Sequence, residues 1–215
     1  MRIAVVGGTG AQGKGLAYRF AAAGHDVVLG SRDAGRAGQT AATVAEHAGT
    51  AVRGATNHDA AADADIVVLS VPYDGHAALV GALADVLADR IVVSCVNPLG
   101  FDRAGAFALD VPDGSAAEEA ARLAPRARLV GAFHTVSAVS LWRDEGPLDH
   151  EDVLVCGDEA EANAVVAELA TSVTGRPGVQ VGPLRQARQL EPLTAVLIAV
   201  NKRYKVRSGI RIGGL

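Results

Sequence analysis

Glycines near the N-terminus form the pattern best suited to binding a ligand. Gly8, Gly10 and Gly13 have the spacing G-x-G-x-x-G, directly after an apolar run and directly before a helix-forming segment. In this context the first glycine permits a tight turn, the second lets the backbone approach a pyrophosphate, and the third lets helix and strand pack closely. The N-terminus of the helix adds unpaired N–H groups. The pattern predicts a dinucleotide site; the less favoured alternative is a glycine turn that binds nothing.

The end of the second predicted strand indicates which dinucleotide is bound. A site for NAD usually has Asp or Glu about 20 residues after the glycines, bonded to the ribose 2′-hydroxyl. Here Ser31 and Arg32 occupy that region, and Arg36 follows one helical turn later. A hydroxyl and two guanidinium groups suit a 2′-phosphate, although Asp33 lies between the arginines. We therefore predict NADP rather than NAD. The alternative is that both arginines are solvated cations at the start of a helix.

Further candidate residues follow other predicted strands, at the edge where open α/β sheets bind ligands. Val71 and Pro72 would form a rigid apolar wall for a nicotinamide ring. Asn97 offers a donor and an acceptor for a carboxamide, or belongs to an ordinary Asn-Pro turn. His134 and Thr135 follow a later strand, where the histidine either orients a second substrate or is only structural.

Groups for acid–base, nucleophilic or metal chemistry are not evident in the sequence. It contains no HExxH pattern and no cluster of residues with metal-ligand spacing, so we predict no metal site. Hydride transfer between two redox cofactors needs mainly proximity and alignment, because the cofactors carry the chemistry. The residues therefore favour such a transfer over reactions that depend on a positioned acid or base.

Short β-branched runs alternate with alanine-rich helical segments along the chain. Strands are predicted at 3–6, 27–29, 51–53, 66–70, 91–95 and 128–133, with helices at 14–23, 34–47, 75–87 and 115–123 and a loop at 97–114. After residue 147 the pattern restarts, with strands at 153–156 and 179–181 and helices at 159–174 and 183–204. This alternation predicts the α/β class, with a Rossmann-type, doubly wound, mostly parallel sheet and a small C-terminal helical or α/β portion. We place an NADP-binding domain at 1–147 and a smaller domain that closes the substrate site at 148–215.

Composition argues against several kinds of partner. The formal net charge is −4, which disfavours nucleic acid, although five cations and no acid follow Asn201. No apolar run reaches the length of about 18 residues that would span a membrane, and no signal segment precedes the first strand. Cys95 and Cys156 each lie in an apolar run, as buried free thiols in a reducing compartment do. We therefore expect a cytoplasmic protein.

In order along the chain, these motifs resemble the coenzyme F420-dependent NADP reductase family, in its actinobacterial branch. The matching segments are 7–15, 30–32, 70–72, 132–136, 156–158, 182–184, 201–205 and 209–212. The resemblance covers essentially the whole chain. It implies an NADPH:F420 oxidoreductase, in which a hydride passes directly between the nicotinamide and the deazaflavin of F420.

The resemblance also implies where each ligand is held. The implied nucleotide site comprises Thr9, Gly10, Ala11, Gln12, Ser31, Arg32, Arg36, Val71, His76, Asn97 and Ala138. The deazaflavin would stack on the nicotinamide near His134 and Thr135, under the C-terminal segment around Ile210.

Several alternatives stay open. The cations Lys202 and Arg203 either attract an anionic second substrate or simply suit the C-terminus of a helix. The apolar stripe of the last helix, which includes Leu190, Leu193 and Leu197, is either core or a dimer interface, and we expect a homodimer. Two other functions compete with F420 reduction: an NADP-dependent reductase of an imine, carbonyl or ferric substrate, and a module that senses NADP(H) without turnover.

Overall fold

Apolar runs become the strands of a central sheet in the computed structural model, which describes residues 1–215. The ten strands are β1 (Arg2–Val6), β2 (Asp26–Ser31), β3 (Val52–Thr56), β4 (Ile66–Leu69), β5 (Ile91–Ser94), β6 (Leu99–Phe101), β7 (Ala106–Ala108), β8 (Arg128–Gly131), β9 (Leu154–Gly157) and β10 (Val179–Gly182). Eight of them form one sheet in the order β10-β9-β8-β5-β4-β1-β2-β3, while β6 and β7 form a separate hairpin.

The sheet is mostly parallel, as predicted for a Rossmann-type fold. The six strands from β8 to β3 run in one direction, so their carboxyl ends meet at one edge. Strand β9 pairs with β8 in the antiparallel sense, and β10 is parallel to β9. The residues after 147, predicted as a smaller C-terminal portion, thus add two strands to the same sheet.

Helices cover both faces of the sheet. They are α1 (Ala11–Ala22), α2 (Ala34–Ala48), α3 (Asn57–Ala62), α4 (His76–Leu83), α5 (Ala116–Leu123), α6 (Ala138–Arg143), α7 (Ala160–Leu169), α8 (Thr171–Thr174) and α9 (Ala187–Tyr204). Ser115 caps α5 by accepting a hydrogen bond from the backbone N–H of Glu118, which explains where that helix begins. A stretch that could span a membrane is found in none of these helices.

Side chains that alternate along β1 build two apolar cores, one on each face of the sheet. Ile3 and Val5 belong to the core that also contains Phe20 of α1. Ala4 and Val6 belong to the opposite core, and all five side chains are fully buried. A strand that is buried on both faces has no polar side to show, which is why β1 reads as a continuous apolar run.

Several elements differ from the sequence prediction. The loop predicted at 97–114 contains the hairpin β6–β7, in which the ring of Phe107 covers Gly100. The single helix predicted at 159–174 is divided into α7 and α8, where the hydroxyl of Thr171 donates to the carbonyl of Glu168 and competes with the helical backbone bonds. Neither α3 nor α6 was predicted, because each has only six residues and shows little periodicity.

A buried arginine holds α6 in place. Arg19 of α1 donates to the backbone carbonyls of Ser140, Leu141, Asp144 and Gly146, around the C-terminal end of α6. The carbonyl of Ser140 also accepts a hydrogen bond from the backbone N–H of Asp144. The last carbonyls of a helix lack such partners, so one guanidinium satisfies several of them here. The bonds lock α6 onto α1, the helix that follows the glycine turn.

Candidate functional site

The glycine turn is held by packing that leaves no room for a side chain. The N–H of Gly8 donates to the carbonyls of Val5 and Gly30, at 3.1 and 3.0 Å. A Cβ atom at Gly8 would overlap the side chain of Leu29, and Gly7 has a φ of +70° that favours glycine. The turn therefore needs glycine at both positions for the fold alone.

Gly10 lacks a side chain for another reason. A Cβ atom there would meet nothing nearer than the carbonyl oxygen of Gly7, at 3.9 Å, so the space above it is open. No side chain caps α1 at this residue, which leaves the first amides of the helix available to a ligand. A Cβ at Gly13, by contrast, would lie 2.6 Å from Cα of Gly8. An open backbone cradle at an uncapped helix N-terminus fits a pyrophosphate.

Asn57 fixes the glycine turn from the side and was missed by sequence reasoning. Its Oδ1 accepts a 3.1 Å hydrogen bond from the N–H of Gly7, and its side chain fills the space against Gly30. Asn57 is the first residue of α3, whose N-cap is Thr56. The hydroxyl of Thr56 accepts from the N–H of Asp59, so this capping pattern was the available signal.

The corner beside β2 contains two free cations. Ser31 is buried at the end of the strand, with 7 % of its surface exposed. Asp33 is used as the N-cap of α2, where its Oδ1 accepts a 2.8 Å hydrogen bond from the N–H of Arg36. Arg32 and Arg36 are both exposed, and neither forms an ion pair. The carboxylate of Asp33 therefore has a structural role as the cap of α2, and the two guanidinium groups remain available.

The chain after β8 makes a turn in an unusual backbone conformation. Phe133 has a φ of +63°, which is rare for a bulky residue, and its buried ring packs edge-on against Phe20. The side-chain amide of Gln12 donates a 3.2 Å hydrogen bond to the carbonyl of Phe133. The first turn of α1 and the end of β8 are thus tied together at the crevice.

The next carbonyl of this turn is held from two other elements. The Nδ2 of Asn97 donates to the carbonyl of His134 at 2.9 Å, and the hydroxyl of Thr194 in α9 donates to the same oxygen at 2.8 Å. The Oδ1 of Asn97 is buried without a hydrogen-bond partner. A buried acceptor of this kind suits a ligand that brings a donor, as a carboxamide does.

The imidazole of His134 is neutral at physiological pH. Burial lowers its pKa to about 4, because a charged ring would be desolvated there. The ring lies over Gly131 beside Cys156, and its Nε2 has no hydrogen-bond partner. Thr135 is buried next to it in the chain. A neutral histidine orients or packs against a ligand but does not serve as a proton donor near pH 7.

His76 makes its contacts away from the glycine turn. It is fully buried at the start of α4, and its Nδ1 lies 2.7 Å from Oε2 of Glu119 in α5. The hydroxyl of Tyr73 donates to the other oxygen of the same carboxylate, at 3.3 Å. The structure thus places this predicted nucleotide residue in a buried polar cluster between α4 and α5.

The remaining candidates lie at the rim. The side chain of Val71 fills the space beside Gly7, and Pro72 next to it is exposed. Ala138 begins α6 and shares a groove with Thr9 and Ala11. These contacts join the glycine turn, the end of β4 and the start of α6.

The C-terminal segment after α9 lies along the start of β9. The carbonyl of Ile210 accepts a 2.6 Å hydrogen bond from the N–H of Asp152, and the N–H of Ile212 donates to Oδ2 of Asp152 at 2.8 Å. Two cations of this segment are engaged: Arg207 forms a 2.9 Å ion pair with Asp144, and Arg211 donates to a backbone carbonyl. Ile210, predicted to close over the site, is thus anchored by its backbone.

Comparison with known proteins decides the family. Residues 2–98 match the family model described as NADP oxidoreductase, coenzyme F420-dependent. The F420-dependent NADP reductase of Methanothermobacter thermautotrophicus is 43 % identical over 223 residues, which covers 100 % of this chain and 96 % of the relative. The chain belongs to the F420-dependent NADP reductase family.

Other F420-dependent NADP reductases are similar to this chain along nearly their full length. The enzyme of Methanothermobacter marburgensis is 38 % identical, covering 100 % of this chain and 99 % of the relative. A crystal structure from Arthrobacter, described as a proposed F420-dependent NADP reductase, has a TM-score of 0.83 and 29 % identity, covering 99 % of each chain. The family resemblance and the fold class inferred from the sequence are therefore confirmed.

Proposed function

We propose that this protein is an NADPH:F420 oxidoreductase, which transfers a hydride between NADP(H) and the deazaflavin of coenzyme F420. The observation that carries the NADP half is the pair of unpaired guanidinium groups, Arg32 and Arg36, beside an uncapped glycine turn. The F420 half is supported by membership of the family.

The residues around the glycine turn and at the end of β2 fit NADP chemically. The free N–H groups of Thr9, Ala11 and Gln12 would hold the pyrophosphate, since the N–H of Gly10 donates to the carbonyl of Gly7. Ser31, Arg32 and Arg36 would hold the 2′-phosphate. The buried, unpartnered Oδ1 of Asn97 would accept a hydrogen bond from the nicotinamide carboxamide. The side chain of Val71 would shield one face of the ring.

The protein's part in the reaction is alignment. When bound, the two cofactors supply the redox chemistry, and the hydride passes directly between their rings. We propose that His134 and Thr135 line the position where the rings meet, with Ile210 excluding water. Since His134 is neutral and its carbonyl is fixed by Asn97 and Thr194, the turn offers a rigid wall rather than a proton.

The test is direct. Purified protein is mixed with NADPH and oxidised F420, and the loss of the deazaflavin's visible absorbance is followed against NADH as control. Rapid loss of this absorbance with NADPH but not with NADH supports the proposal. Binding of NADPH without any bleaching would refute the F420 half and favour an imine, carbonyl or ferric substrate.

We further propose that the protein is a cytoplasmic homodimer. Val196 on α9 and Phe101 on the β6–β7 hairpin are 57 and 70 % exposed, while Leu190 and Leu197 of the same helix are buried. One side of the apolar stripe of α9 is therefore part of the core, and the other side, which includes Val196, is exposed to solvent. The buried free thiols Cys95 and Cys156 suit a reducing compartment. A monomeric mass by light scattering at micromolar concentration would contradict the dimer.

A further inference from the structure

A groove runs from the rim of the glycine turn down between α1, α2 and α6. Its volume is about 490 Å³. Thr9, Ala11 and Ala138 lie at its upper end, where their helices or turn begin. Thr43 and Trp142 lie further along α2 and α6. The groove thus begins where the nucleotide phosphates would lie and continues away from them.

The cations of this groove have no acidic partner. Lys14 and Arg143 line it, no acidic residue does, and neither cation forms an ion pair. Elsewhere many arginines of this acidic chain are neutralised, as Arg2 is by Asp65 and Arg53 by Asp26. An unpaired positive groove in a protein of net charge −4 favours an anionic ligand.

The ammonium group of Lys14 packs against the stacked rings of Trp142 and His47. Its Nζ lies 3.9 Å from the centroid of the Trp142 ring, which stacks on His47 with centroids 4.4 Å apart. His47 Nε2 is also within 3.0 Å of the Trp142 carbonyl oxygen. The ammonium group is therefore held in the groove rather than extended into solvent.

We propose that this groove binds the anionic side chain of F420, through its phosphodiester and glutamate carboxylates. The inference rests on the proposed function. Ala138, which lines the upper end of the groove, follows His134 and Thr135 closely in the chain. The side chain of a deazaflavin bound at that turn would therefore enter the groove over Ala138 and Thr9. NADP is the other source of negative charge. Its 2′-phosphate is assigned to Arg32 and Arg36, which do not line the groove, and its pyrophosphate to the backbone amides at the upper end, beyond which the groove continues. The competing basic tail is already partly neutralised, since Arg207 pairs with Asp144.

Equilibrium dialysis tests the groove with two probes, F420 and the deazaflavin chromophore stripped of its anionic chain. In the variant Lys14→Met/Arg143→Gln the Kd for F420 should rise about tenfold or more, and its dependence on salt should flatten. The Kd values for the stripped chromophore and for NADPH should not change. If the double variant folds poorly, Arg143→Gln alone takes its place. This residue lies at an exposed helix end, and its replacement should raise the Kd for F420 by a smaller factor. The matched control Lys202→Gln/Arg203→Gln removes the same charge from the tail.

Several other results would contradict the proposal that the groove binds the side chain of F420. An unchanged Kd for F420, a loss confined to NADPH, or a loss seen only in the tail control would refute it. Equal binding of F420 and of the stripped chromophore to the native protein would refute the groove but leave hydride transfer intact. Failure of the native protein to bind either deazaflavin would refute the proposed function as well.

Discussion

The Nδ2 of Asn97 donates a 2.9 Å hydrogen bond to the backbone carbonyl of His134, and this bond joins the segments that follow two neighbouring strands, β5 and β8. The remaining oxygen of the amide is buried and free. One side chain thus fixes the wall of the crevice and keeps an acceptor without a partner.

Replacing Asn97 with Ala should therefore impair turnover more than folding. The carbonyl of His134 keeps its bond from Thr194, but the free acceptor is lost. We expect kcat/KM for NADPH to fall about tenfold to a hundredfold, because a small misalignment of the reacting rings is costly. Thr194→Val, which removes only the second bond to the same carbonyl, is the control and should have a smaller effect. Native kinetics for Asn97→Ala would contradict the assigned role.

Arg32 should determine the preference for NADPH over NADH. A charge-assisted hydrogen bond contributes about 1.5–3 kcal/mol, so Arg32→Ala should lower kcat/KM for NADPH by about tenfold to a hundredfold. The value for NADH, which has no 2′-phosphate, should stay the same. Arg53→Ala removes a guanidinium that pairs with Asp26 and should alter neither constant. An equal loss with both nucleotides would argue against a 2′-phosphate at this corner.

Gly8 and Gly10 should respond differently to the same added methyl group. Gly8→Ala would overlap Leu29 and should destabilise the protein by about 1–3 kcal/mol. Gly10→Ala has open space and an ordinary φ of −78°, so its melting temperature should stay near the native value. Its Kd for NADPH should nonetheless rise about tenfold or more, because the methyl group would occupy the position of the pyrophosphate. Gly38→Ala, also in open space, controls for the substitution itself. Unimpaired binding by Gly10→Ala would place the nucleotide elsewhere.

The C-terminal segment should loosen when Gly209 is replaced by Ala. A Cβ atom there would overlap the carboxyl group of Glu151, so either the side chain or the segment must move. We expect faster hydrogen exchange at the amide of Ile212, which now donates to Asp152. Gly213→Ala has no atom nearby and should exchange as the native protein does. If Ile210 closes the site, the KM for F420 should rise only in Gly209→Ala.

Glu151 should make stability fall as the pH rises. Burial, with a smaller effect of the charge on Asp144, raises the pKa of Glu151 to about 7. Because the folded state holds the proton more tightly than the unfolded state, the stabilisation is complete below the ordinary glutamate pKa of about 4.5 and is lost as the pH rises through about 7. Burial also raises the pKa of Glu191 to about 7, with the same sign.

Denaturant titrations across this range measure the effect. The free energy of unfolding of Glu151→Gln should vary less between about pH 5 and pH 8 than that of the native protein, by at most about 3 kcal/mol. The dependence due to Glu191 should remain. Glu145→Gln, at an exposed position, should keep the native profile. An identical pH dependence in Glu151→Gln and the native protein would show that this carboxyl group does not titrate as described.

The spacing of residues in the sequence was sufficient to predict the parallel sheet and the glycine turn. Both depend on local patterns: continuous apolar runs for doubly covered strands, and small residues at fixed offsets between a strand and a helix. The helix predicted at 115–123 was likewise correct: α5 runs from Ala116 to Leu123 with Ser115 as its N-cap, and capping involves residues only three apart. Short elements such as α6 were missed because tertiary bonds, here from Arg19, stabilise them more than their own sequence does.

Sequence by itself determined which chemical groups reach the edge of the sheet, because the end of a strand is a local property. Only the tertiary structure decided what each group is free to do. Asp33 caps a helix instead of opposing a phosphate, and His76 pairs with Glu119 in α5. Burial leaves His134 neutral, and α6 closes a groove around Lys14. These outcomes depend on desolvation and on contacts between residues distant in the chain, and neither is encoded in the spacing of residues along one segment.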